Sequence, residues 1–132
     1  MWCVKSDQPI RDGFAEVQGK VISGEKNQAI GIVVRFQDAN NYYVIRANAR
    51  EQNVAFHRVV AGVRKAVARS PKLALPAGQW HTLRVEFAAD RAKVMLNGRE
   101  LFYVYDQAIS AAGTVGLWTN TDSVTLFDNF KF

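Results

Sequence analysis

The chain has 132 residues, of which 48% are hydrophobic and 22% charged, a balance that excludes a disordered or low-complexity chain and suffices for one core without staples. Seventeen Lys and Arg against 12 Asp and Glu leave a net charge of +5. The basic residues are scattered, which reads as a solvated surface and argues against nucleic acid as a partner. The single cysteine, Cys3, excludes an internal disulfide and a thiolate zinc site, and no apolar run approaches membrane-spanning length.

From the N-terminus, the start MWCVKSD has no apolar segment of the kind a signal peptide needs, so none is expected in this sequence. Alternating apolar and polar residues then predict strands over 14–23, 28–37, 41–49, 53–61, 63–69, 80–88, 92–97, 100–105, 114–120 and 124–132. Turn chemistry separates them, at 23–27, 38–40, 61–62 and 77–78. Asn97-Gly98 is the strongest turn signal, because both central positions of a type I′ turn need positive φ. Pro71 and Pro76 bracket a segment expected to cross from one sheet to the other rather than sit within one. No linker or repeat divides the chain, so residues 1–132 are expected to form a single all-β domain of antiparallel sheets.

Period two also sorts residues by face. Over 28–37, Ile30, Ile32, Val34 and Phe36 share the core face, leaving Ala29, Gly31, Val33, Arg35 and Gln37 outward. Over 41–49, Tyr43, Ile45 and Ala47 face the core, with Tyr42, Val44, Arg46 and Asn48 opposite. Val54 and Phe56 continue the core face, so His57 points outward with Asn53. The candidate ligand-binding face therefore collects Arg35, Gln37, Tyr42, Arg46, Asn48 and His57.

The run GIVVRFQDANNYYVIRAN at residues 31–48 carries a family resemblance, followed by WHTLRVE at 80–86, VGLWT at 115–119 and DSV at 122–124. In these segments the sequence resembles the bacterial concanavalin A-like, laminin G-like jelly-roll domains related to 3-keto-disaccharide hydrolase domains. The resemblance implies an antiparallel two-sheet jelly-roll sandwich of the lectin and glucanase type, in a family that is often extracytoplasmic. Fuller members carry a further N-terminal strand region, and the few residues before Phe14 imply that it is abbreviated or absent here. A sheet edge left open in that way would favour self-association as a symmetric homodimer.

Glycoside hydrolysis needs two carboxyl groups flanking the scissile bond. Glu16, Glu51, Glu86 and Glu100 are dispersed, and no Glu-x-Asp-x-x-Glu run occurs. Glu86 alternates with Arg84 and reads as an ion-pair member. No catalytic residue is assigned: His57 lacks a neighbouring nucleophile in the sequence, and His81 reads as structural. Asp90, Asp122 and Asp128 form no calcium loop, so neither a metal nor a cofactor is expected. Trp2, Trp80 and Trp118 are available either to stack on sugars or to pack. The residues favour a non-catalytic domain binding a carbohydrate or another polar or acidic ligand. A self-associating interaction domain and a glycoside hydrolase are the alternatives.

Overall fold

Among the described residues the chain forms eleven strands, ten of them where apolar residues alternate. The computed structural model describes residues 2–23, 28–119 and 123–132, with backbone only at residues 2, 5–8 and 23. The body of the turn expected at 23–27, and Asp122, lie outside the described residues. The strands are β1 (Trp2–Ile10), β2 (Gly13–Ser23), β3 (Ala29–Asp38), β4 (Asn41–Asn48), β5 (Asn53–Val60), β6 (Val63–Arg69), β7 (Trp80–Ala88), β8 (Arg91–Leu96), β9 (Arg99–Tyr105), β10 (Gly113–Trp118) and β11 (Val124–Lys131).

They form two antiparallel sheets, one in the order β1-β10-β3-β4-β5-β6 and the other β11-β2-β7-β8-β9. This is the jelly-roll sandwich expected, in which hairpin-linked strands β3 to β6 and β7 to β9 are joined by β10 and β1 and by β2 and β11 from distant parts of the chain. Ile30, Ile32, Val34, Ile45, Val54 and Phe56 of the first sheet meet Val17, Leu83, Val85 and Val94 of the second in one core. Between β6 and β7, the Pro71–Pro76 region crosses between the sheets without a strand, and Leu75, 1% exposed, plugs the core. Asn97 and Gly98 both take positive φ, 52° and 81°, as a type I′ turn requires.

Two expectations are corrected. The N-terminal strand is present: β1 pairs with β10, from Trp2 opposite Trp118 to Lys5 opposite Val115. Mixed polar and apolar residues hid it, because an edge strand has little apolar demand. The edge of β10 that was to drive dimerisation is therefore occupied. The parity assumed for β3 also breaks. Val34 pairs with Tyr43 and Asp38 with Asn41, so three residues of β3 oppose Tyr42 alone. Arg35 sits at the start of this bulge with φ of 49°, and the residues beyond it exchange faces.

Candidate functional site

The first sheet has a second, smaller apolar cluster on its outer face, built from Ala29, Val33, Val44 and Trp118 with Val4, Phe36 and Tyr42 against them. Register carries this face across the strands: Val33 lies beside Val44 and Val44 beside His57, and Gly31 beside Arg46 and Arg46 beside Ala55. Trp118 of β10 lies next to Gly31, where any Cβ would come within 2.7 Å of the indole. The missing side chain is what lets the tryptophan lie down on the sheet.

The face is concave. Three strands separate β10 from β6, which places them about 19 Å apart in a flat sheet. Yet the Arg64 guanidinium of β6 lies 5.3 Å from the centre of the Trp118 ring on β10. Two side chains cannot bridge a flat sheet of that width, so the sheet curls toward its outer side. Curvature explains why Arg46, Asn48 and His57, on an outer face, are 5%, 0% and 4% exposed.

Polar groups stand on this floor in a fixed arrangement. Arg46 donates from Nη2 to Glu51 Oε2 at 2.8 Å, and its Nη1 has no partner. Asn48 Oδ1 accepts from the backbone N–H groups of Arg50 and Glu51 at 2.9 and 3.1 Å, which orients the amide and leaves Nδ2 unpartnered. Asn53 Oδ1 and both ring nitrogens of His57 are buried without a hydrogen bond. Burial, reinforced by the positive charges of Arg64, Arg46 and Arg69, pushes the His57 pKa down to about 4. The imidazole is thus neutral at physiological pH, with one donor and one acceptor. Glu51 is held below the usual carboxylate range chiefly by its hydrogen bond from Arg46.

Of the six residues predicted from sequence, Tyr42, Arg46, Asn48 and His57 share this face. Tyr42 stacks obliquely on Phe36 with ring centroids 5.4 Å apart. Arg35 does not join them. The bulge turns it inward, where Nε and Nη2 donate to Arg11 O at 3.1 and 2.8 Å and Nη1 donates to Ile109 O at 3.0 Å. Its guanidinium also lies 5.8 Å from the Phe87 ring of the other sheet. Arg35 ties loops to the sandwich end and is 3% exposed. Gln37 is exposed at that same end, its amide donating to the carbonyls of Arg35, Ala111 and Ala112. Sequence reasoning put Asn53 on this face without counting it as a candidate, and missed Arg64, Arg69 and Trp118 as face members. Arg64 pairs with Val59 and Arg69 with Ala55, but a bulge in β6 between Ala66 and Ala68 is what brings these two residues of opposite parity onto one face, so parity along the strand could not have placed both there.

Elsewhere the polar residues are structural. His81 bonds through Nε2 to Pro76 O at 2.9 Å and through Nδ1 to the Asn97 amide at 3.2 Å. On the outer face of the second sheet, Arg84 pairs with Glu16 and Glu86, Lys93 with Glu86 and Glu100, and Lys131 with Glu16. Hydrogen bonds from Arg84 and Lys93 hold Glu86 below its ordinary pKa, which unfits it as a general acid. Beside this network lies an open recess of about 410 Å³, lined by Asp12, Glu86, Arg91, Lys93, Tyr103 and Tyr105 among others. Among the described residues, no group of three or more His, Cys, Asp or Glu is placed to hold a metal ion.

A family model described as the 3-keto-alpha-glucoside-1,2-lyase-like domain matches residues 3–132. No curated protein matches the sequence. Among solved structures, the carbohydrate binding module CBM66 from Bacillus subtilis superposes with a TM-score of 0.81 at 22% identity, over 94% of this chain and 76% of that one. Chicken galectin 2 superposes at 0.76 with 11% identity, over 97% and 95% of the two chains. CG-16, a homodimeric agglutinin from chicken liver, gives 0.73 at 14% identity, over 99% and 98%. At these identities the likeness establishes a common fold.

Proposed function

This chain belongs to the family of 3-keto-alpha-glucoside-1,2-lyase-like domains, and from that premise we propose that it is a non-catalytic carbohydrate-binding domain whose site is the concave face of the six-stranded sheet. The observation that carries the reading is the set of five buried polar atoms on Arg46, Asn48, Asn53 and His57 for which the protein supplies no partner. Leaving such an atom unbonded costs about 1–3 kcal/mol, so a cluster of them is retained where something else bonds to it. Sugar hydroxyls fit, since each both donates and accepts, and the set offers donors on Arg46 and Asn48, an acceptor on Asn53 and one of each on His57. Tyr42 supplies flat apolar surface for the sugar ring, and Trp118, 5% exposed beneath Arg64, adds to it when that guanidinium moves aside. The carbohydrate-binding module and the galectins of the same fold lend the reading support by analogy.

A lyase or hydrolase function would need a base or acid at this face. Glu51 is ion-paired to Arg46, and His57, with a pKa of about 4, is a weak base. The site therefore favours binding without turnover. A glycan array tests the reading: the domain binds a defined set of saccharides, and both Arg46→Ala and Asn53→Ala lose that binding while retaining a cooperative unfolding transition. Saccharide binding that survives both substitutions would move the site elsewhere.

Self-association is the second reading, resting now on the opposite sheet. Ile22, Trp80, Val124 and Leu126 are each about half exposed, and Leu126 and Trp80 flank Lys20 in one row beside edge strand β11. Sedimentation over a tenfold concentration range should show a dimer that Leu126→Lys abolishes. A parent chain that stays monomeric would remove this reading.

A further inference from the structure

The concave face carries an uneven charge. Among the described residues, Arg46, Arg64 and Arg69 lie on it against one carboxylate, Glu51, which is already engaged by Arg46. Among the described residues Arg64 and Arg69 form no ion pair, whereas Arg84, Lys93 and Lys131 on the opposite sheet are each paired with Glu16, Glu86 or Glu100. The three guanidiniums act on a common point, since each of them opposes protonation of His57, after the larger effect of its burial. Arg64 lies over the indole of Trp118 as a cation on a ring, an attraction that an anion can replace with a stronger, bidentate one.

We propose that the ligand of this face is an anionic glycan, one whose sugar carries a carboxylate or sulfate group that seats between Arg64 and Arg69 while its hydroxyls meet Arg46, Asn48, Asn53 and His57. The inference rests on the carbohydrate-binding reading and narrows it to a substrate class. Neutral sugars satisfy the hydroxyl partners and leave the repulsion between Arg64 and Arg69, both on β6, uncompensated. A carboxylate or sulfate neutralises that repulsion and frees one face of Trp118 for the ring. Guanidinium groups suit this role because their paired N–H groups match two oxygens of one anionic centre.

Calorimetric titration with trigalacturonate, with a sulfated heparin disaccharide and with neutral galactotriose tests it, alongside a single-stranded oligonucleotide as a non-glycan polyanion. At least one of the two anionic saccharides should bind roughly tenfold or more tighter than the neutral one, with that advantage shrinking between about 50 mM and about 500 mM salt. Which of them binds identifies the anionic group. The double variant Arg64→Gln, Arg69→Gln should lose the preference and keep whatever binding galactotriose shows. Equal or tighter binding of galactotriose overturns the proposal and leaves the carbohydrate-binding reading standing. Preference unchanged in the double variant, or oligonucleotide binding as tight as that of the best saccharide, also overturns it. If no saccharide binds here and none binds on the array, both readings fall together.

Discussion

His57 and Arg35 show how differently two buried polar side chains of one sheet can be used. His57 is buried without a bonding partner, and its pKa falls from 6.5 to about 4 in the folded chain. As pH drops through that window the unfolded chain takes up a proton that the folded chain refuses. The stability linked to His57 is thus complete above pH 6.5 and lost progressively toward pH 4, by up to about 3 kcal/mol. In His57→Gln the fall in unfolding free energy between about pH 7 and about pH 5 should be visibly smaller. An unchanged slope would put the pH dependence on other groups. Arg35, by contrast, spends all three guanidinium nitrogens on backbone carbonyls, so Arg35→Ala leaves those carbonyls and a loop without their tie. Denaturant titration should show a loss of about 2–4 kcal/mol, with saccharide affinity of the folded fraction unchanged. A large affinity loss at intact stability would return Arg35 to the site.

At the scale of strands, Gly31 is the position where packing and site meet. A methyl group there reaches Trp118 Cε3 and the Trp118 carbonyl oxygen, each at 2.7 Å. Gly31→Ala should therefore destabilise the domain by about 1–3 kcal/mol and shift the tryptophan fluorescence, because the indole must lift from the sheet. An unperturbed spectrum would mean that Trp118 is not seated on Gly31. Ten of the eleven strands were legible as alternating runs, since their inner residues are Val, Ile, Leu and Phe facing one shared core. β1 was not, because an edge strand pairs on one side only and its sequence carries no clean alternation. Four of the six predicted face residues were legible for the same reason as the strands. Arg35 and Gln37 were lost at the bulge, where an arginine takes a left-handed φ that no glycine or asparagine announces. Trp118 and Arg64 entered through curvature, a property of the whole sheet that parity along single strands cannot express.

At the scale of the molecule, the two outer faces of the sandwich have opposite characters. The outer side of the five-stranded sheet spreads charge in a network of exposed and half-exposed ion pairs, each worth little and readily screened. The concave side buries its polar groups over an apolar floor and leaves their hydrogen-bonding capacity unused. That contrast, more than the net charge of +5, locates the site. The most direct test is an NMR titration of the isotopically labelled domain with the tightest saccharide found on the array, following side-chain as well as backbone resonances. The account predicts that the largest shifts fall on the Asn48 side-chain amide, the Trp118 indole and the backbone of β4 and β5. Shifts centred instead on Tyr103 and Tyr105, beside the recess on the opposite sheet, would contradict it.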